Sequence, residues 1–135
     1  MKAHCLCGAV EIEAQPTSSH VDACHCRMCR RWGGGPYLAV QCDTGIQIQG
    51  ESHVARYASS DWAERAFCRQ CGTHLFYHLK APSQYVLPVG LFEDQERWEM
   101  TEQIFIDRKP GYYTFANETE NLTEAEVFAK FSGAG

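Results

Sequence analysis

The chain has no long apolar run: no stretch approaches the roughly 20 consecutive apolar residues that a membrane helix needs. It also lacks an excess of basic charge, with 12 Lys and Arg against 17 Asp and Glu and a formal net charge of −5. Nucleic acid and anionic membrane are therefore poor partners, because phosphate binding needs a basic footprint. The one basic run, Arg27, Arg30 and Arg31, lies within and just after a cysteine cluster and reads as local chemistry. Internal repeats, low-complexity tracts and linker compositions are missing as well, so residues 1–135 are expected to form a single domain. Met1-Lys2-Ala3-His4-Cys5 shows no apolar signal-peptide core, and a cytoplasmic protein is the expectation.

Cysteine, by contrast, is abundant. Of eight, seven fall into Cys5-x-Cys7, Cys24-x-Cys26-x-x-Cys29 and Cys68-x-x-Cys71. In a reducing compartment such clusters point to metal binding or thiol chemistry ahead of disulfides. A disulfide between residues as close as Cys5 and Cys7 would also be strained.

The remainder reads as short strands between turn signals. Val10-Glu11-Ile12-Glu13 and Ile46-Gln47-Ile48-Gln49 alternate apolar and polar residues, as half-buried strands do. Tyr37–Val40, Leu75–Tyr77, Tyr85–Leu87 and Ile104–Ile106 are aromatic and β-branched candidates. The spacing predicts an antiparallel, mainly β fold. Helix signals sit at the end, where Thr123 and Glu126 form a capping box flanked by Leu122 and Val127. That helix is expected to run to about Phe131, with Val127, Phe128 and Phe131 as its apolar contacts.

Each cysteine pair is followed by a glycine, in Cys5-Leu6-Cys7-Gly8 and Cys68-Arg69-Gln70-Cys71-Gly72. A glycine tolerates the positive φ that such a knuckle needs. Together the pairs make a four-cysteine zinc site that is structural in character. A redox role for Cys68-x-x-Cys71 is the alternative, without a thioredoxin-like βαβ pattern around it.

The triplet differs. Cys24, Cys26 and Cys29 leave a tetrahedral ion one ligand short. His20, His53, His74 or Cys42 folding in would close the site; otherwise the fourth position admits water, a thiol or a carbonyl oxygen. Three thiolates leave a zinc centre with net charge −1, better suited to holding an external thiol as a nucleophile than to acting as a Lewis acid. Arg30 and Arg31 are candidate anchors for the carboxylates of an anionic thiol, with Trp32 covering one face and Gly33–Gly35 allowing close backbone approach. With seven thiolates and two zinc ions the net charge becomes about −8. His25 is expected to point away from the ion, and His74 and His78 share a strand face, each either a metal-pocket group or a satisfied structural histidine. Asp61, Glu64 and Arg65 read as solvated loop charges.

The order and spacing of Cys5-Leu6-Cys7-Gly8, Cys24-His25-Cys26-Arg27-Met28-Cys29-Arg30 and Arg65-Ala66-Phe67-Cys68-Arg69-Gln70-Cys71-Gly72 resemble the glutathione-dependent formaldehyde-activating enzyme family, which includes the centromere protein V-type domains. The resemblance covers roughly residues 5 to 106. It implies an Mss4-like fold of stacked antiparallel sheets organised around a structural zinc, with a short C-terminal helix. It further implies structural zinc on Cys5, Cys7, Cys68 and Cys71, and a second, catalytic zinc on Cys24, Cys26 and Cys29. The implied activity is a carbon–sulfur lyase reaction that condenses glutathione with formaldehyde to S-hydroxymethylglutathione. Where relatives often place His before an apolar strand, this chain has Gln103-Ile104-Phe105. A different class of function also fits the motifs: a non-catalytic zinc domain that binds a protein partner. Zinc storage or redox response of the triplet is a third reading.

Overall fold

A computed structural model describes residues 1–43 and 45–134, with side chains described through Lys130. Among the described residues the chain forms eleven strands and two α-helices. In order these are β1 (Lys2–His4), β2 (Glu11–Glu13), β3 (His20–Cys24), α1 (Arg27–Gly33), β4 (Tyr37–Cys42) and β5 (Gln47–Gln49). Then come β6 (Val54–Tyr57), β7 (Ala63–Cys68), β8 (His74–Leu79), β9 (Gln84–Pro88), β10 (Glu99–Ile104), β11 (Glu120–Leu122) and α2 (Glu124–Ala134). The mainly β expectation holds.

The chain divides into two compact units. The first comprises Met1–Ser19 and Val40–Arg97. In it β1, β2 and β5 form an antiparallel sheet in which Ala3 pairs with Ile12 and Ile12 with Ile48. The period-2 pattern is met directly: Ala3 and Ile12 are buried while Lys2, His4, Glu11 and Glu13 face outward. A second antiparallel run, β6 to β9 in sequential pairing, adds Val54, Ala66, Leu75, Phe76 and Leu87 to this unit's core. Phe76 is fully buried and meets Tyr85 edge-on, with centroids 5.2 Å apart. Such burial is worth about 1.5–3 kcal/mol for the side chain.

The second unit comprises His20–Ala39 and Trp98–Gly135. Here β3 runs antiparallel to β4 but parallel to β10, with Gln103 opposite Ala23, and β10 is also parallel to β11. These parallel pairings depart from the all-antiparallel expectation. They follow from the long chain excursions between the strands, since a two-residue hairpin can join only antiparallel neighbours.

Two further boundaries differ from expectation. The strand anticipated at 104–106 is Glu99–Ile104, and it stops because Phe105 takes a left-handed conformation (φ 55°) before a short 3₁₀ turn. Phe105 packs edge-on against Phe128, centroids 5.8 Å apart. The second difference is α1, which the sequence does not signal through ordinary capping residues.

At α2 the capping box forms as predicted. Glu126 N–H bonds Thr123 Oγ1 at 3.2 Å, and Thr123 N–H bonds Glu126 Oε1 at 3.0 Å. Val127 is buried, whereas Phe128 remains mostly exposed beside Phe105. The anticipated contact of Phe131 lies outside the described side chains.

Candidate metal centres

The first centre lies within the first unit, where two knuckles of chain meet. Each turns back on itself: Gly8 N–H bonds Cys5 O at 3.1 Å, and Gly72 N–H bonds Cys68 O at 2.8 Å. Both glycines are left-handed, with φ of 80° and 78°, a conformation that a β-carbon disfavours. Leu6 N–H donates to Thr73 Oγ1 at 3.1 Å, and that hydroxyl lies 3.1 Å from Cys71 Sγ. One threonine thus ties the two knuckles together.

The sulfurs of Cys5, Cys7, Cys68 and Cys71 all lie within 4.8 Å of one another. Cys5 to Cys7 is 3.6 Å and Cys7 to Cys68 is 3.8 Å. A tetrahedral ion with Zn–S bonds of ~2.3 Å has sulfur–sulfur edges of ~3.8 Å, and these two separations match such an edge. None of the eight cysteines forms a disulfide among the described residues. The Thr73 hydroxyl and then its amide hold the Cys71 thiol down to about 5, a thiolate at neutral pH. At Cys7 the Ala9 backbone bond pulls the same way, but desolvation and the three neighbouring sulfurs outweigh it and push that thiol up to about 12. An incoming cation removes this conflict by replacing the remaining protons.

The second centre lies within the second unit and is local in sequence. β3 delivers Cys24 at its last residue, and Cys26 is the N-cap of α1, its Sγ accepting the Cys29 N–H at 3.3 Å. A sulfur stands where serine or aspartate normally caps. Arg30 N–H then bonds Cys26 O at 3.0 Å, and α1 ends at Gly34, whose N–H bonds Arg30 O at 2.8 Å. The three sulfurs lie within 4.8 Å of one another, with Cys24 and Cys29 buried and Cys26 half-buried. Among the described residues no fourth His, Cys, Asp or Glu joins them. Contact with the Cys26 and Cys29 sulfurs, then burial, push the Cys24 thiol far up, so a bound cation must displace its proton.

His25, between two of these cysteines, is fully buried. Its Nε2 lies 2.8 Å from Gln103 Oε1 and its Nδ1 2.6 Å from Tyr113 Oη. Its ring stacks on Tyr113, with centroids 5.5 Å apart, and burial holds the imidazole below its ordinary value. The backbone is tied as well. His25 N–H donates to Ile104 O at 3.1 Å, and Arg30 Nε donates to His25 O at 3.0 Å.

The sequence model of the glutathione-dependent formaldehyde-activating enzyme family matches residues 1–108. The chain belongs to the glutathione-dependent formaldehyde-activating enzyme family. It is 36% identical over 125 residues to an uncharacterized lyase of Schizosaccharomyces pombe, covering 92% of this chain and 91% of that one. Among solved structures it resembles a Rhodobacter sphaeroides protein with a TM-score of 0.61 and 29% identity, over 69% of this chain and 88% of the other.

Around the family's cysteine pattern the other candidate residues fall into place unevenly. Arg30 is half-buried and fixed by its Nε, whereas Arg31 on the same helix is exposed. Trp32 is half-buried, edge-on to Tyr37 with centroids 5.7 Å apart. A β-carbon at Gly33, Gly34 or Gly35 would meet no atom within 4 Å, so packing does not demand the glycines, although the left-handed backbone of Gly34 (φ 84°) at the end of α1 favours one there. Cys42 is buried, and burial pushes its thiol up to about 12; it behaves as a small core residue. His78 is held by Glu64 Oε1 at 3.4 Å and Ser83 Oγ at 3.0 Å and stacks on Tyr85, a structural histidine in the first unit. His20, His53 and His74 stand outside both sulfur groups.

Two readings need correction. Glu64 and Arg65 are not loop charges but lie on β7, where Arg65 is buried with its guanidinium over the Tyr77 ring at 5.0 Å. The aromatic face lets a strand bury a cation that the sequence alone marks as solvated. Gln103 stands out in the sequence only as the residue in place of the relatives' histidine, and Tyr113 and Thr119 carry no site signal, because their link to the triplet runs through His25 and spans up to 88 residues.

Proposed function

We propose that this protein is a zinc-dependent carbon–sulfur lyase that joins a glutathione-like thiol to a small aldehyde and cleaves the same bond in reverse. The observation that carries this reading is the three-sulfur group with no fourth protein ligand among the described residues. Cys5, Cys7, Cys68 and Cys71 hold one zinc as a structural ion, and Cys24, Cys26 and Cys29 hold the second. Bound at the triplet, zinc supplies an exchangeable position at which a thiol is kept as its thiolate.

The chain's own groups then orient the reactants. Arg30 is anchored through Nε to the carbonyl of His25, and among the described residues its two terminal amino groups have no protein acceptor. That leaves a planar fork beside the triplet for the carboxylate of an anionic thiol. Half-buried Trp32, on the same helix, supplies an apolar wall for the substrate, and exposed Arg31 adds long-range attraction. In the forward direction the substrate sulfur forms a bond to the aldehyde carbon, the carbon–oxygen π bond opens, and the proton lost by the thiol ends on the new hydroxyl. Formaldehyde and glutathione thus give S-hydroxymethylglutathione with no further reactant. Residues 1–135 act as one catalytic domain, and the clustered cysteines suit a reducing cytoplasm. The net charge of −5 argues against nucleic-acid partners.

Metal content per chain of freshly purified protein, followed by glutathione titration of the cobalt-substituted form, tests this reading. Two ions per chain and a thiol-dependent change in the cobalt spectrum are expected. Two ions with no spectral response would instead favour a zinc domain that binds a protein partner.

A further inference from the structure

Resting on the zinc reading of the triplet, we propose that Gln103, acting through His25, is a positioning residue for the three-sulfur site, with Tyr113 as the far end of the same device. Four tethers hold His25: its amide to Ile104 O, its carbonyl to Arg30 Nε, Nε2 to Gln103 and Nδ1 to Tyr113. This residue is the peptide between Cys24 and Cys26, so its fixation sets the spacing of two sulfurs before any ion arrives. It also sets Arg30, because the guanidinium hangs on the His25 carbonyl.

The direction of the side-chain bonds is determined from the far end. Thr119 donates its hydroxyl proton to Asn121 Oδ1 at 2.6 Å, which leaves Thr119 Oγ1 as acceptor for Gln103 Nε2 at 2.9 Å. Gln103 therefore turns Oε1 toward His25, and His25 Nε2 carries the proton. His25 Nδ1 is left to accept from Tyr113 O–H. With Asn121 Oδ1 facing Thr119, every atom has one role, and reversing any single bond of the relay would leave two donors or two acceptors facing each other. The loop bearing Tyr113 is itself clamped: Lys109 Nζ donates to Pro110 O at 3.1 Å, to Thr114 Oγ1 at 3.2 Å and to Tyr113 O, and sits over the Tyr113 ring.

An apolar pair would fill the same space without the cost of burying polar groups. Gln103 and His25 are instead both buried and partnered, His25 being the single residue that separates Cys24 from Cys26. Partners that orient ligands from outside the coordination shell change metal affinity or activity by about 10–100-fold when removed.

The test uses the full-length zinc protein and its variants Gln103→Leu, Gln103→Glu and Tyr113→Phe. It measures the affinity of each ion by competition with a chromophoric chelator, the cobalt spectrum and the melting curve. Gln103→Leu is expected to weaken the triplet ion by about 10–100-fold, with the four-cysteine ion unchanged. Gln103→Glu keeps an acceptor toward His25 Nε2 and should recover most of that loss, while Tyr113→Phe should show a smaller loss in the same direction. Equal triplet affinities in wild type and Gln103→Leu, or a Glu variant as weak as the Leu variant, would overturn the proposal and leave His25 a packing residue. If Gln103→Leu does not fold, Tyr113→Phe decides, since it removes one oxygen from a half-buried ring; unchanged affinity there overturns the proposal. A wild-type protein that binds no ion at the triplet overturns the zinc reading itself and this inference with it, a result distinct from equal affinities.

Discussion

At the four-cysteine centre, sulfurs from Cys5 to Cys71, 66 positions apart in sequence, are brought together; at the three-cysteine centre one run of six residues supplies them all. The first is built from two similar knuckles with left-handed glycines and a shared threonine, and every ligand position is filled by the chain. The second uses a strand end and a helix cap, and among the described residues gathers only three sulfurs. The same side chain therefore serves two ends. Ligands drawn from distant segments convert metal affinity into folding energy, whereas a local chelate contributes little to fold closure and is free to offer reactivity.

The largest effect that would break this contrast is expected at Cys68→Ser. Structural zinc contributes about 10 kcal/mol or more to folding in small domains, against total stabilities of about 5–15 kcal/mol. The variant should lose its cooperative thermal transition by circular dichroism. Retention of a normal melt would mean that the first centre is dispensable for folding. Cys26→Ser is the matching test at the second centre. Serine keeps an N-cap acceptor for Cys29 N–H, so the helix is spared and the melt should shift by no more than a few degrees, about 1 kcal/mol. Turnover of the thiol–aldehyde adduct should fall by more than about 100-fold, read by loss of the second ion and of activity. Unfolding of this variant would erase the distinction between the two centres.

A finer comparison sets Arg30 against Arg31. Arg30→Ala should raise KM for an anionic thiol by about 10–100-fold, the worth of a charge-assisted hydrogen-bond pair at about 1.5–3 kcal/mol, with kcat little changed. Arg31→Ala should move KM by less than about 3-fold, as exposed charges do. Reversed sensitivities would shift the anchor to the outer face of α1.

The smallest effect concerns the strand that delivers Cys24. Burial, then the charge of Glu102, push the Asp22 carboxyl up to about 6, above its ordinary value. The folded protein therefore binds this proton more tightly than the unfolded chain, and stability falls as pH rises from about 4 to about 6. Asp22→Asn should remove that slope and add about 1 kcal/mol at pH 7 once solvent screening is allowed for. Denaturant melts at pH 4, 5, 6 and 7 check it; identical slopes in both proteins would refute it.

How much of this was legible in the sequence depends on the range over which each signal acts. Cysteine spacing is local chemistry, and the seven residues converge in the two groups their spacing suggests. Strands whose alternation matches a half-buried sheet, such as Glu11–Glu13, were also legible. β10 was displaced because Glu99-Met-Thr-Glu-Gln-Ile carries little apolar alternation, its parallel pairing with β3 and β11 being a tertiary matter. Helix α1 was hidden because a sulfur does the capping. Arg65 was misread because its aromatic neighbour lies on the adjacent strand. The partners of His25 were invisible for the same reason: hydrogen bonds over 78 and 88 residues leave no periodicity to read.

The parallel seating of β10 beside β3 bears on how the protein is made. During synthesis the Cys24–Cys29 run emerges well before Gln103, Ile104 and Tyr113 exist. At about 5–20 residues per second, the chain spends roughly 4–18 s with its thiols out of the tunnel and their buttress unmade. Being local, the run can capture an ion in that interval, whereas the four-cysteine centre must wait for Cys68 and Cys71. If the triplet takes zinc as proposed, metal supply at the ribosome would set the order in which the two centres mature, and nascent chains short of metal would carry an unburied trio of thiols.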